Sequence, residues 1–160
     1  MPSGKVHNTI NLSVISAATV IWHLTGQPFL ELAQVGYLAA GALIGTLLIT
    51  PDLDLGDQNV EAKNNWGVFG FIWYPYGKLS RHRGQAHSYL RGPLMRLLYL
   101  GAVITAVLYT LKAFQLWEFT SLKWPPMSPD QLMALGAGYV VAQWLHLIAD
   151  GIYPWQKGRI

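Results

Sequence analysis

The sequence predicts an all-α fold, an integral membrane four-helix bundle formed by one domain over residues 1–160. Hydrophobic residues make up 52% of the chain and charged residues only 12%, about half of the ~25% of an ordinary soluble domain. Four long stretches carry no charge. The absence of cysteine excludes a disulfide framework, a thiolate zinc finger, an iron–sulfur cluster and a cysteine nucleophile.

The uncharged stretches predict four transmembrane helices. A span needs about 20 residues, and each stretch reaches this length alone or with its polar flanks. The alternative is a soluble four-helix bundle, which should show charged residues on every turn of its outer face. Such residues are missing, so the sequence favours the membrane. The predicted spans are 10–28, 32–50, 94–116 and 131–150, with residues 51–92 as the connecting segment.

The distribution of Lys and Arg predicts the orientation. Four spans place both termini and the connecting segment on one side, with nine of the 11 basic residues, whereas the other side holds only Lys112 and Lys123. The positive-inside rule makes the first side cytoplasmic, in a bacterial plasma membrane or an internal membrane. This topology explains the basic pI of about 9.2 without nucleic acid as a partner.

The connecting segment contains an aromatic stretch. Residues 66–76 (WGVFGFIWYPY) include six aromatic residues among eleven, interrupted by Gly67, Gly70 and Pro75. The stretch is too short and too interrupted to span a membrane. It suits an interfacial position in the headgroup region, where amphipathic rings are favoured. A loop packed over the end of the bundle is the alternative.

Histidine and aspartate residues form groups in or near the apolar stretches, where polar groups are costly. His146 and Asp150 are four residues apart, on one face of the fourth helix, as a metal pair or as a hydrogen-bonded pair. Two further aspartates follow the second helix, where they suit a divalent cation or a helix-terminating turn. The seven candidate metal ligands are His7, Asp52, Asp54, His82, His87, His146 and Asp150.

The predicted topology brings all seven candidates to the cytoplasmic face. His23, by contrast, falls toward the opposite face and is expected to have a packing or interfacial role. Nitrogen and oxygen ligands without sulfur favour Zn²⁺, with Mn²⁺ or Fe²⁺ as alternatives. Because seven ligands exceed the need of one tetrahedral ion, we expect one to two ions, with some candidates supporting the ligands.

The order of these motifs resembles a known family. The early His7, P-D-L-D at 51–54, H-R-G-Q-A-H-S at 82–88 and H-x-x-x-D at 146–150 are similar to the YdjM-like predicted membrane-bound metal-dependent hydrolases, and more so to their sister family of small metal-binding membrane proteins. That group is distantly similar to zinc-dependent phospholipase C and P1 nuclease. The resemblance implies a phosphoesterase. The chain lacks their N-terminal Trp ligand and is much shorter, which does not favour a three-metal cluster.

Two functions follow from these observations. The first is a metal-dependent hydrolase of a phospholipid or another phosphoester, with Asp54 or Asp150 as general base. Arg81, Arg83 and Arg91 would bind phosphate, or alternatively anchor the protein to anionic lipids. The second is a non-catalytic metal-binding subunit or assembly factor of a larger membrane complex. A transporter is less favoured because transport sites usually lie near the bilayer midplane.

Overall fold

The computed structural model describes residues 3–26, 29–56, 58–80, 87–116 and 126–154, which are mostly helical and contain no strand. In chain order the α-helices are α1 (Gly4–Leu24), α2 (Leu32–Leu43), α3 (Glu61–Asn65), α4 (Tyr74–Leu79), α5 (Arg91–Ala113) and α6 (Pro129–Ala149). A π-helix (Ile44–Leu48) and a 3-10 helix (Pro51–Leu55) continue α2, and a second 3-10 helix (Gly67–Trp73) precedes α4. The all-α prediction is therefore confirmed for these residues.

Three segments of the described chain are long and apolar enough to cross a membrane: Leu32–Leu55, Arg91–Ala113 and Pro129–Ala149. Helix α1 is of similar length, 21 residues, but is not among them. Its first turns carry His7 and Asn11, which are buried against the other helices. The polar residues of α1 thus lower its hydropathy while its helix still packs into the structure.

Helices α2 and α6 run parallel and in close contact. A Cβ atom at Gly41 would lie 1.9 Å from the carbonyl oxygen of Leu135, and one at Gly138 would lie 1.9 Å from that of Leu38. Glycine on both helices lets the two backbones approach closely, as small residues do in membrane helix pairs. This pair therefore fixes the relative position of the two chain segments that end at the candidate site.

Helix α5 packs much less. Only 6% of its most apolar 18-residue stretch is buried, against 33% for the corresponding stretches of Leu32–Leu55 and of α6. Its buried residues are Gly92, Pro93 and Arg96, all in the first two turns. There the hydroxyl of Tyr139 donates a hydrogen bond of 3.0 Å to the carbonyl of Pro93. Helix α5 is thus held at its N-terminal end and exposes its apolar side chains beyond it.

The aromatic segment is helical. Trp73 and Tyr76 are buried in the core cluster, with their rings edge to face at 5.8 Å, whereas Val68, Phe69 and Phe71 are exposed. One face of the segment therefore packs over the bundle, as in the alternative to a purely interfacial position. The opposite face presents apolar side chains outward.

The N-terminus of α6 is closed by a capping box. The Ser128 hydroxyl accepts a hydrogen bond of 3.2 Å from the Gln131 backbone N–H, and the Gln131 side chain accepts one of 3.0 Å from the Ser128 N–H. Pro129 occupies the first turn, where its missing N–H costs nothing. This capping box lies at the end of α6 that is remote from the candidate site.

Candidate metal centre

The last turn of α6 supplies the central pair of the site. His146 and Asp150 lie one helical turn apart, and Asp150 is the C-cap residue. The Nε2 atom of His146 is 3.7 Å from Oδ2 of Asp150. The sequence expectation that the two side chains share one face is confirmed by this distance.

Helix α1 brings His7 to the same place, because α1 begins where α6 ends. The Nε2 atom of His7 is 3.1 Å from Oδ1 of Asp150. The imidazole rings of His7 and His146 are stacked, with centroids 3.9 Å apart and planes inclined by 14°. The stack directs a nitrogen of each ring toward the same carboxylate.

The 3-10 helix after the π-helix contributes two aspartates. Oδ1 of Asp52 lies 3.4 Å from Nε2 of His146, and Oδ2 of Asp54 lies 3.0 Å from Nδ1 of His87. Both aspartates lie in the first turn of this separate 3-10 helix, so they do not oppose a helix dipole as they would at the C-terminus of α2.

His87 completes the described cluster from the segment just before α5. Its Nδ1 atom faces Asp54, while its Nε2 atom lies 4.0 Å from Oδ2 of Asp150. A carboxylate on one ring nitrogen with the other nitrogen directed inward is the usual arrangement of a histidine that binds a metal. This geometry favours Asp54 as the residue that orients His87.

The donor set fits a divalent metal ion. One nitrogen each of His7 and His146 and one carboxylate oxygen of Asp150 all lie within 4.8 Å of one another. A tetrahedral zinc with bonds of about 2.0–2.2 Å separates neighbouring ligand atoms by about 3.3–3.6 Å, and the distances of 3.1, 3.4 and 3.7 Å around His146 and Asp150 are close to this range.

Four buried side-chain atoms of His7, His146 and Asp150 lack a hydrogen bond of normal geometry in the described part of the chain. They are Nδ1 of His7, Nε2 of His146 and both carboxylate oxygens of Asp150. Buried polar atoms are normally hydrogen-bonded, and each exception needs an explanation. A metal ion held by Nε2 of His146 and the Asp150 carboxylate would give these ligand atoms a partner, so the residues present fit such an ion.

The charge state of Asp150 also suits a metal ligand. Burial raises the pKa of its carboxyl group, but the neighbouring His7 and His146 lower it more strongly, so the pKa lies below its ordinary value. A metal ion requires the deprotonated carboxylate. Asp150 is therefore ready to bind a cation without first losing a proton at neutral pH.

The side chains of the site are closed off from solvent except on one side. Those of Asp54 and Asp150 have no exposed surface, whereas 19% of the Asp52 side chain is exposed. Among the six described candidates, Asp52 is thus the one at the opening of the site. A small ligand would have to enter beside it.

The remaining predicted site residues lie elsewhere. Arg91 is exposed at the first residue of α5, and its substrate-binding role stays a prediction. Arg81, His82 and Arg83 lie outside the described residues. His23 is in the last turn of α1, at the opposite end of that helix from His7. The structure therefore brings together His7, Asp52, Asp54, His87, His146 and Asp150, whose role as metal ligands stays a prediction.

Sequence reasoning missed one charged residue next to the site. Arg96 is fully buried and donates a hydrogen bond of 2.8 Å to the Gln143 side chain. From the sequence, Arg96 is only one of nine basic residues on the predicted cytoplasmic side, and no contact of its side chain is predicted. Its position one residue before the uncharged stretch 97–111 was the available signal, because a charge inside an apolar helix marks a functional position.

These features define a class of protein: an all-helical chain with long apolar helices and a buried cluster of histidine and aspartate at one end. The chain belongs to the family DUF2227, described as uncharacterized metal-binding protein, whose model matches residues 2–159. This agrees with the expected family of small metal-binding proteins. The comparisons give no support to the more distant likeness to hydrolases and P1 nuclease, which stays a hypothesis.

A second similarity covers part of the chain. A protein of Aquifex aeolicus (strain VF5), described as "Uncharacterized protein", is 40% identical over 60 residues, which are 38% of this chain and 41% of that relative. The match thus spans less than half of the relative's length. No solved structure matches the chain.

Proposed function

We propose that this metal-binding protein is integral to the membrane and hydrolyses a phospholipid or another membrane-associated phosphoester at the His/Asp centre. The observation that carries the proposal is the excess of ligands. Three histidines and three aspartates meet at one end of the apolar helices, more than one tetrahedral ion needs. Hydrolytic sites that hold two ions use such sets.

Metal binding would fall to the residues at the centre of the site. His7, His146 and Asp150 would hold one divalent ion, with Zn²⁺ favoured over Mn²⁺ or Fe²⁺. The Asp150 carboxylate would also be available to a second ion beside His87, whose Nε2 atom lies 4.0 Å from it. When bound, such ions polarise a phosphate oxygen and lower the pKa of a water molecule.

Access and proton transfer depend on Asp52 and Asp54. The exposed part of Asp52 marks the side from which a phosphoester would enter. Asp54 was predicted as a general base; its contact with His87 gives it the additional task of holding that imidazole in place. Asp150 was predicted for the same role, but its three histidine neighbours favour metal binding instead.

Membrane integration rests on composition. Three described helical segments are long and apolar enough, and α1 would be the fourth span because it lies alongside them. In the predicted topology nine of the 11 basic residues fall on the side of both termini, and the positive-inside rule would make that side cytoplasmic. The exposed Val68, Phe69 and Phe71 would lie in the headgroup region. Alkaline extraction of cell membranes tests this placement: the protein should stay with the lipid.

A non-catalytic role as a metal-binding subunit or assembly factor is the second candidate. It is favoured by burial, because structural metal sites are closed whereas catalytic sites keep an open position. The side chains of His7, His87 and Asp150 are at most 2% exposed. In this case the weakly packed α5 would contact a larger membrane complex.

Metal content and hydrolysis measured together test the proposal. Protein purified in mild detergent without chelators should contain one to two equivalents of a divalent metal, and a His7→Ala, His146→Ala double variant should lose it. The matched control is His23→Ala, at the other end of α1, which should keep the metal. The same samples should hydrolyse phosphodiester and phospholipid substrates only where the metal is present.

Each outcome has a defined meaning. Metal that is lost in the double variant together with hydrolysis supports the proposed hydrolase. Metal without turnover on any phosphoester supports the subunit role and contradicts the hydrolase. Wild-type protein without metal contradicts both functions and leaves a polar hydrogen-bonded cluster.

A further inference from the structure

The π-helix Ile44–Leu48 ends in a set of carbonyl groups that side chains satisfy. Its last backbone bond runs from the Ile49 N–H to the Ile44 carbonyl at 2.9 Å. Carbonyl groups at a helix end have no amide partner within the helix and need one from elsewhere. The donors are Gln143 to Gly45 (3.0 Å) and to Ile49 (2.6 Å), Asn65 to Leu47 (2.8 Å) and the Trp66 indole to Leu48 (2.8 Å).

Gln143 makes two of these bonds, and its orientation is fixed by Arg96. Both side chains are fully buried. The Nη2 atom of Arg96 donates to Oε1 of Gln143 at 2.8 Å. Because a guanidinium can only donate, the amide oxygen must face Arg96 and the amide NH₂ must face the two carbonyls.

The backbone around Gly45 is shaped for this contact. A Cβ atom there would lie 2.9 Å from the Tyr139 carbonyl oxygen and 3.1 Å from Nε2 of Gln143. Only glycine leaves room for the Gln143 amide to reach into the π-helix. The close approach of the two helices and the contact between side chain and carbonyl thus depend on the same residue.

This contact joins the two chain segments that carry the candidate ligands. Gln143 lies one turn before His146 on α6. Ile49, whose carbonyl it binds, lies three residues before Asp52. One side chain therefore sets the distance between the α6 ligands and the 3-10 helix that bears both aspartates.

We infer that Gln143 and Arg96 are positioning residues of the metal centre: Gln143 holds the end of the π-helix so that Asp52 and Asp54 meet His146 and His87, and Arg96 fixes the orientation of the Gln143 amide. This inference rests on the proposed function, since it takes the centre to bind a metal. Neither residue contacts the metal. Supporting groups of this kind commonly change metal affinity by about 10- to 100-fold.

Binding of Co²⁺ to the metal-free protein in detergent tests the inference, because the visible absorption of Co²⁺ reports the geometry of its ligands. Gln143→Leu should weaken Co²⁺ binding at least about 10-fold and change the visible spectrum. Arg96→Lys keeps the charge but not the planar fork, and should have a smaller effect of the same kind. Asn65→Ala is the matched control, since it removes a bond to the same π-helix from outside α6.

Gln143→Glu keeps the experiment decisive if the leucine variant does not fold. Its carboxylate still pairs with Arg96 but cannot donate to the carbonyls of Gly45 and Ile49, so it should also weaken Co²⁺ binding. Wild-type affinity and an unchanged spectrum in either folded Gln143 variant would overturn the inference. An equal loss in Asn65→Ala would also overturn it, because the effect would then belong to the π-helix in general. Wild-type protein that binds no Co²⁺ contradicts the proposed function itself.

Discussion

The helix pair α2–α6 and helix α5 are joined to the protein in different ways. In the pair, glycine lets the two backbones come into contact, and 33% of the most apolar stretch of each chain segment is buried. Helix α5 is held by contacts of its first three turns, polar ones at Pro93 and Arg96 and ring packing at Tyr99, and only 6% of its most apolar stretch is buried. Four of the six described candidate ligands lie at the ends of the two chain segments that contain this pair, whereas α5 contributes Arg96 and leaves a long apolar surface for lipid or a partner. The closest helix packing thus belongs to the two segments that end at the ligands.

The largest loss of stability is expected from a substitution that fills the close contact between α2 and α6. In Gly138→Leu, the new side chain would begin with a Cβ atom 1.9 Å from the Leu38 carbonyl oxygen, a backbone atom that cannot move away alone. We expect the free energy of unfolding to fall by about 1–3 kcal/mol or more, since this is the usual cost of overpacking. Most of the protein should then no longer be folded. Thermal unfolding in detergent, followed by circular dichroism, measures this loss.

Two glycines provide the matched controls. A Cβ atom at Gly136 on α6 or at Gly101 on α5 would have no atom within 4 Å from the rest of the described chain outside its own helix turn. Gly136→Ala and Gly101→Ala should therefore leave the unfolding temperature unchanged or raise it, since alanine favours a helix. If Gly138→Leu unfolds at the same temperature as these controls, close backbone contact does not hold the pair together.

A smaller effect is expected where α5 is attached. Tyr139→Phe removes the hydroxyl that donates to the Pro93 carbonyl and leaves that buried acceptor without this partner. Losing such a bond costs about 1–2 kcal/mol in the free energy of unfolding. Tyr109→Phe on the exposed part of α5 is the control, because Tyr109 is 73% exposed. Equal stability of the two variants would contradict the view that polar contacts hold α5.

The helices and the meeting of the ligands could be predicted from the sequence because they depend on local patterns. Long uncharged stretches indicate helices, and the alternation of helix direction places His7, Asp52 and His146 at one end. Ser128 before Pro129 is likewise a local signal for the start of a helix, and α6 begins there. These features need no knowledge of which helix touches which.

The contacts between helices could not be predicted in this way. Gln143 stands near His146 in the sequence, but nothing local shows that its amide reaches the carbonyls of Gly45 and Ile49. The burial of Arg96 could not be predicted either, because counting charges on each side of the membrane takes no account of burial. Which aspartate would bind the metal and which one supports His87 likewise depends on distances between side chains of different elements.

The smallest effect is expected at the end of α6 that is remote from the metal centre. Ser128→Ala removes the side chain that accepts from the Gln131 N–H, and should lower the free energy of unfolding by about 0.5–2 kcal/mol, toward the lower end because the cap is exposed. Metal content should not change, since α6 reaches the site only 18 residues later, at His146. Ser128→Asp, which restores a capping oxygen, should recover the stability. A loss of metal in Ser128→Ala would mean that the α2–α6 contact does not isolate the centre from the far end of the helix.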